Sequence, residues 1–298
     1  LGADVAAVVW VSSAYLLAYA VPLLITGRLG DRFGPKQIYL LGLIVFTLAS
    51  LGCGLTNTVE MLVMARVVQG LGASLMTPQT MAVITRLFPP HQRGKAMAIW
   101  GATAGLAMLV GPLLGGLLIG MLGWEWIFFI NVPLSCLLLA LTIVFVPRSL
   151  DAESPRASVR SVVLLMAGMF LLVYGITEWG DNPDQPVLPA LLVGVGVLLC
   201  LVFFLLQEMS ASPVMPVSMV FGKRTAGASV AMMLLMGNVF VMMLYLRLVR
   251  GYDALTVAYT LLPVGIAQLL ISPVASSSIK RIHPRVTVLV GFALTALA

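Results

Sequence analysis

Ten residues that separate two long apolar runs determine how the whole chain is interpreted, and they read Gly27-Arg28-Leu29-Gly30-Asp31-Arg32-Phe33-Gly34-Pro35-Lys36. They concentrate charge in a chain where charge is scarce, because only 9% of the 298 residues are charged and 60% are hydrophobic. An ordinary soluble domain has roughly 25% charged residues. The glycines and the proline permit the unusual backbone angles of a tight hairpin. We therefore predict a short loop over 27–36 between two membrane-spanning helices.

Apolar runs on both sides of this loop recur along the whole chain, each about as long as the roughly 20 residues that cross a bilayer. Breaks at charges and Gly/Pro clusters predict full helices over Val5–Thr26, Gln37–Thr56, Met61–Thr85, Lys95–Leu122, Trp126–Val146, Val159–Glu178, Val187–Leu206, Thr225–Leu248 and Ala254–Ser278. A further helix is expected from Val286, and we expect the chain to be a segment of a longer protein. The predicted fold class is an all-α polytopic membrane protein.

The distribution of positive charge predicts the orientation. If the loop over 27–36 is cytoplasmic, every second loop is too, and these loops hold fourteen of the 17 Lys and Arg residues. The opposite loops hold only Arg247 and Arg250. Lys and Arg are enriched on the cytoplasmic side of membrane proteins. This pattern also explains the net charge of +6 without a nucleic-acid partner, and we predict none.

Candidate metal ligands and catalytic groups are scattered. Cys53, Cys136 and Cys200 lie inside separate apolar runs, and His91 and His283 lie in predicted loops. None of them has the spacing of a metal site or a disulfide framework. We predict no metal site and no catalytic residues, so the protein is not expected to be an enzyme.

One arginine, Arg66, lies well inside a predicted span rather than near its end. Arg66 follows Glu60 by six residues, which is about 9 Å of helix. An arginine in the bilayer costs on the order of 3 kcal/mol, so it should face the protein interior and have a polar partner. Gln69 lies one turn further on the same helix face. A static ion pair or a side chain that snorkels to the headgroups is the alternative.

A later span contains a run of glycines around a proline, at Gly101, Gly105, Gly111, Pro112, Gly115, Gly116 and Gly120. Small residues four apart allow two helices to approach closely. Pro112 removes a backbone donor and permits a bend. Tight packing alone would explain this composition.

These motifs together resemble the major facilitator superfamily. The loop is similar to its signature Gly-x-Leu-Ala-Asp-Arg-x-Gly-Arg-Lys at Gly27, Leu29, Asp31, Arg32, Gly34 and Lys36, with Gly30 in place of Ala and Pro35 in place of a basic residue. Arg66, Gln69, Gly70, Gly72 and Ala73 resemble its second signature, Arg-x-x-Gln-Gly-x-Gly-Ala. The order Gly-Pro-x-x-Gly-Gly at 111–116 resembles the exporter signature. The stretch Trp124–Pro133 resembles the fourteen-helix drug:proton antiporters.

The resemblance implies two pseudo-symmetric helix bundles with two extra helices between them. On that plan, residues 1–147 are helices 2–6 of the N-terminal bundle, 148–210 the two linker helices, and 211–298 the start of the C-terminal bundle. Arg281–Arg285 faintly repeats Arg32–Lys36, as parallel half-repeats would. On this plan we expect the first helix, which often carries a coupling acid in the family, to lie outside this sequence.

The resemblance also implies a function, which is export of small amphiphilic compounds across the cell inner membrane in exchange for protons, without a cofactor and as a monomer. Asp31 would latch the cytoplasmic side, and Arg66 with Gln69 would serve proton coupling. Candidate cavity residues are Tyr15, Tyr19, Met232, Met236 and Asn238. Ordinary packing or lipid contact is the alternative for the methionines. An exporter of lipids or envelope precursors, suggested by Arg247 and Arg250, and a non-transporting sensor or scaffold remain open.

Overall fold

A computed structural model of the chain describes residues 5–147, 159–181 and 185–209, with scattered positions between 222 and 266. Its helices are α1 Val5–Ala20, α2 Leu23–Phe33, α3 Pro35–Gly54, α4 Val59–Leu87, α5 Pro90–Met121, α6 Trp126–Phe129, α7 Asn131–Phe145, α8 Val159–Asp181 and α9 Val187–Glu208. A π-helical turn spans Tyr245–Val249. Most of the predicted helices over Thr225–Leu248 and Ala254–Ser278, and all of the one from Val286, lie outside the described residues.

The described helices confirm the predicted all-α membrane fold class. Five spans among the described residues are long and apolar enough to cross a membrane, namely Pro35–Gly54, Val59–Leu87, Trp126–Phe145, Arg160–Trp179 and Val187–Glu208. A sixth is added if the bent pair of α1 and α2 counts as one span.

The prediction of one unbroken span over Val5–Thr26 is wrong, because the helix breaks at Pro22. Trp10–Ala20 and Leu23–Phe33 are bent by 43° relative to each other. Proline has no N–H and its ring crowds the preceding turn, so a helix rarely runs straight through it. The N–H of Val21 still donates to the carbonyl of Leu17, and that of Thr26 to the carbonyl of Pro22.

The predicted loop over 27–36 is also wrong, because α2 continues through it as far as Phe33. Gly34 alone separates α2 from α3, and its φ of 91° is a left-handed value that favours glycine. Pro35 follows at the first position of α3, where a missing N–H costs no helical hydrogen bond. The chain therefore turns over one residue, while Gly27 and Gly30 lie within a helix.

Smaller departures concern helix ends. A turn at Ile130 divides the predicted span Trp126–Val146 into α6 and α7. Pro90 rather than Lys95 begins α5, because two consecutive prolines precede and start that helix. The predicted helix Val159–Glu178 is three residues longer, since α8 continues to Asp181.

Close approach at glycines holds the helices together. A Cβ at Gly72 of α4 would lie 2.6 Å from the backbone N of Phe46 in α3, and one at Gly42 would lie 2.8 Å from the carbonyl O of Gly72. Helices α8 and α9 pack as a hairpin in the same way, since a Cβ at Gly196 would lie 2.6 Å from the N of Leu172. Without side chains at these positions, backbone meets backbone.

The contacts divide the chain into two compact units. One comprises Leu1–Ala82 and Glu125–Met233, and the other Val83–Trp124 and Leu234–Ala298. The first unit contains α1–α3, α6–α9 and most of α4, and it holds the residues around Arg66. The predicted bundle boundaries near residues 147 and 210 stay a prediction.

Candidate functional site

Helix α4 carries Arg66 into the interior of the first unit. The side chain is half-buried, and its Nη1 donates a 2.6 Å hydrogen bond to Oε1 of Gln69, one turn further on. Its Nε donates to the carbonyl of Val11 in α1 at 3.2 Å. Arg66 therefore has the interior polar partners that the cost of an intramembrane arginine predicts. Both acceptors are neutral groups.

Gln69 extends this network to α3. It is 1% exposed, and its Nε2 donates to Oγ of Ser50 at 2.7 Å, while the thiol of Cys53 lies 4.0 Å from Oε1. Oε1 thus accepts from the arginine while Nε2 donates to the hydroxyl. A carboxamide can do both at once because it has an acceptor and two donors. Arg66, Gln69 and Ser50 form a hydrogen-bonded group, the Arg66 network.

Aromatic rings surround the guanidinium. Its carbon lies 4.1 Å from the ring centroid of Tyr15 and 5.8 Å from that of Phe128. A cation over an aromatic face is attracted by the ring quadrupole, by up to about 2 kcal/mol where water is excluded. Tyr19 lies parallel to Tyr15, with centroids 6.2 Å apart. Tyr15 is thus a partner of Arg66, and a role of either tyrosine in substrate binding stays a prediction.

Two glycines of the Arg66 motif, Gly70 and Gly72, allow α4 to pack closely against α1 and α3. A Cβ at Gly70 would lie 2.5 Å from the carbonyl O of Tyr15, so only glycine lets α4 approach α1 at this level. Gly72 meets α3 on the other side, as described above. The motif therefore places one arginine and one glutamine where three helices converge.

The Asp31 motif forms the end of α2 and the start of α3. Asp31 is half-buried in the last turn of α2, Leu29 is half-buried beside it, and the guanidinium carbon of Arg32 lies 5.1 Å from the ring centroid of Phe33. Lys36 donates from Nζ to the carbonyl of Ile143, at 2.8 Å, and to that of Val146. Lysine commonly caps a helix C-terminus in this way, and here it ties α3 to the end of α7.

A second buried polar cluster was not predicted from the sequence. Gln79 of α4 is completely buried, and its Nε2 donates to the carbonyl of Thr26 at 2.7 Å. Oγ1 of Thr26 lies 2.7 Å from the carbonyl O of Ser74. Gly30 faces the same cluster, and a Cβ there would lie 1.7 Å from Oε1 of Gln79. The sequence signal was Pro78-Gln79 inside an apolar run.

The glycine–proline motif lies in α5, which continues through Gly111 and Pro112 without interruption. Gly105 is buried, Gly115 and Gly116 are half-buried, and Gly111 is exposed. Within the described part of the chain, a Cβ at Gly111, Gly115 or Gly120 would meet no atom within 4 Å. Close packing of another helix on this face, and a bend at Pro112, stay predictions.

The remaining candidate cavity residues cannot be placed together. Met232 and Met236 lie outside the described residues, and Asn238 is helical and exposed. Across the residues that the structure describes, no cluster of three His, Cys, Asp or Glu side chains could hold a metal ion.

The chemistry available is thus a cation among neutral dipoles, in a helix that is long and apolar enough to cross a membrane. Apolar helices long enough to span a membrane, together with a half-buried arginine bonded to a carboxamide, are typical of an integral membrane protein. A family profile described as Major Facilitator Superfamily matches residues 1–298, and the chain belongs to that family.

Several relatives are similar over almost the whole chain. It is 44% identical to an uncharacterised MFS-type transporter of Mycobacterium tuberculosis, over 98% of this chain and 51% of that protein. It is 34% identical to the tetracenomycin C resistance and export protein of Streptomyces glaucescens, over 99% and 56%, and 30% identical to the probable multidrug resistance protein EmrY of Escherichia coli, over 100% and 59%. The chain therefore spans about half the length of the curated relatives it matches.

Proposed function

We propose that the protein exports amphiphilic drugs or other toxic compounds across the cytoplasmic membrane in exchange for protons. Relatives named for multidrug resistance and for tetracenomycin export support the direction and the kind of substrate. The observation that carries the proposal is Arg66, a half-buried cation whose hydrogen-bond acceptors are neutral. A cation bonded to neutral acceptors can favour deprotonation of an acid that comes near it.

The exchange needs competition between two ligands of one cavity. Protonation of the coupled acid weakens binding of the compound, and deprotonation restores it, so the proton gradient sets the direction of transport. Arg66 and Gln69 tune that acid, Asp31 latches the cytoplasmic side, and the gradient takes the place of a cofactor. Gly111 and Pro112 allow α5 to pack and bend during the cycle. The protein acts as a monomer and has membrane lipids as its other partners.

The test is proton-driven efflux of a fluorescent lipophilic dye from cells that carry Arg66→Ala in the full-length protein. We expect efflux to fall at least about tenfold, because removal of a charged hydrogen-bonding partner costs about 1.5–3 kcal/mol, while the amount of protein in the membrane changes little. Arg66→Lys keeps the charge but loses the planar fork, so it should be intermediate.

Arg160→Ala is the matched control, because Arg160 is an exposed arginine in the first turn of α8. It should export dye as the unaltered protein does. Wild-type efflux by Arg66→Ala would remove Arg66 from the coupling mechanism. Normal dye levels combined with a lipid or envelope defect in cells that lack the protein would favour the alternative, an exporter of lipids or envelope precursors.

A further inference from the structure

Pro78 leaves a gap in the hydrogen-bond ladder of α4. The helix is continuous from Val59 to Leu87 with Pro78 inside it. In an α-helix the N–H of residue 78 would donate to the carbonyl of residue 74, and proline has no N–H. The carbonyl of Ser74 therefore lacks its usual donor at a buried position. An unpaired polar group is costly in the interior of a membrane protein.

A side chain of the neighbouring helix fills that gap. Oγ1 of Thr26 in α2 lies 2.7 Å from the carbonyl O of Ser74, and 3.0 Å from the carbonyl O of Leu23 in its own helix. The hydroxyl has one proton, and the shorter contact is the one with Ser74. Thr26 is 4% exposed, so water does not compete for this bond. The hydrogen bond that α4 lacks is thus supplied by α2.

A second bond runs in the opposite direction one residue further along α4. Nε2 of Gln79 donates to the backbone carbonyl of Thr26 at 2.7 Å. Gln79 is completely buried, and its Oε1 has no hydrogen-bond partner among the described residues. A Cβ at Gly30 would lie 1.7 Å from that oxygen. Gly27 of the same helix faces Pro78, since a Cβ at position 27 would lie 3.6 Å from the Cβ of Pro78.

We propose that Thr26 and Gln79 are positioning residues that fasten α2, and with it the Asp31 latch, to the ladder gap of α4. The latch role itself rests on the proposed function. The fastening of α2 to α4 does not rest on the proposed function, since it concerns only the hydrogen bonds between these two helices. Asp31 lies five residues, or about 7.5 Å of helix, beyond Thr26. Arg66 lies on α4 itself, twelve residues or about 18 Å before Pro78. One helix thus connects the Arg66 network to the latch through these two bonds.

The test is a double-variant cycle in the full-length protein. Thr26→Val keeps the shape of the side chain and removes the hydroxyl, while Pro78→Ala restores an N–H to the Ser74 carbonyl. Hydrogen exchange of the α2 amides, read by mass spectrometry on peptides from 23–33, reports how firmly α2 is held. We expect Thr26→Val to speed exchange roughly threefold to tenfold, the loss expected for one buried hydrogen bond.

In the Pro78→Ala background, the same Thr26→Val change should alter exchange by less than about twofold, since the carbonyl then has its own helical donor. Thr26→Ser retains the hydroxyl and should restore slow exchange. Thr47→Val is the matched control, because the buried hydroxyl of Thr47 donates only within its own helix, to the carbonyl of Leu43 at 2.6 Å. It should leave α2 unchanged. An equal effect of Thr26→Val in both backgrounds, or none in either, would overturn the proposal.

Dye efflux separates this proposal from the proposed function. We expect Thr26→Val to lower efflux about threefold or more, and Thr26→Ser to restore it, since about threefold is the smallest effect expected from one lost hydrogen bond. Faster α2 exchange with unchanged efflux would overturn the link to the latch. If Thr26→Val speeds α2 exchange but the unsubstituted protein exports no dye, the fastening of α2 to α4 stands. That result would refute the exporter function instead.

Discussion

A methyl group at position 30 would overlap the carboxamide of Gln79. The overlapping atom is at the end of a flexible side chain, but that side chain is completely buried and its Nε2 is hydrogen-bonded to the carbonyl of Thr26. We therefore expect Gly30→Ala to destabilise the protein by about 1–3 kcal/mol, as overpacking of a core does. The measurement is the apparent Tm of the full-length protein purified in detergent.

Two further variants test whether overlap with Gln79 is the cause of the destabilisation by Gly30→Ala. Gly27→Ala lies on the same helix, where a Cβ would make an ordinary 3.6 Å contact with Pro78. It should be neutral or slightly stabilising, because alanine favours a helix more than glycine does. Gly30→Ala should also be tolerated once Gln79→Ala removes the carboxamide. If Gly30→Ala and Gly27→Ala had the same Tm, the overlap would not be the reason for glycine at position 30.

At the scale of single residues, the sequence predicts hydrogen bonds within one helix but not hydrogen bonds between neighbouring helices. The spacing of Arg66 and Gln69 placed both on one face, and their hydrogen bond follows from it. The Val11 carbonyl and the Ser50 hydroxyl belong to other helices, and no spacing rule connects them to position 66. The gap that Pro78 leaves could be predicted from the sequence, whereas the residue that fills it could not.

Among the elements, the α8–α9 hairpin allows a matched comparison of two glycines on one helix. A Cβ at Gly196 would meet the backbone of α8, whereas in the described part of the chain one at Gly194 would meet nothing within 4 Å. We expect Gly196→Leu to separate the helices and lower the apparent Tm by several degrees. Gly194→Leu should leave the Tm unchanged or raise it, because leucine has the higher helix propensity. Equal loss in both variants would mean that the hairpin does not depend on this contact.

The end of α2 is where the latch can be tested. Asp31→Asn removes the charge and keeps the size of the side chain. We expect it to change the ratio of inward- to outward-facing molecules by roughly fivefold, the lower end of typical coupling energies. Cysteine crosslinking of the two sides of the full-length transporter measures that ratio. Glu60→Gln, at an exposed position in the first turn of α4, is the control. An unchanged ratio in Asp31→Asn would exclude the latch role.

The elements were predicted well where lipid requires an apolar run and poorly where the chain turns. Apolar length alone predicted α3, α8 and α9 to within a few residues. Charge misled the prediction at residues 27–36, because charged side chains can lie on a helix that extends beyond the bilayer. Proline and glycine positions would have predicted the turns better than charge did. Pro22 lies at the break between α1 and α2, and Gly34, with its left-handed φ, lies between α2 and α3.

At the scale of the whole molecule, proton exchange can be tested from binding measurements alone, without assigning the proton to a particular residue. If binding of a compound expels a proton, then protons must weaken binding of the compound by the same coupling energy. Purified full-length protein in weakly buffered solution should release up to roughly one proton for each lipophilic dye bound. Dye affinity should fall as the pH is lowered, by at most about tenfold per pH unit for one coupled proton.

Proton release and the pH dependence of dye affinity must agree, because the number of protons released per dye bound determines the slope of log affinity against pH. Arg66→Ala should abolish both together if Arg66 tunes the coupled acid, even where the dye still binds. Proton release that persists in Arg66→Ala would mean that the acid titrates without help from the Arg66 network. Dye binding with neither proton release nor pH dependence would exclude proton competition at the binding step, while the membrane fold and the family would stand, since they rest on the helices and the sequence match alone.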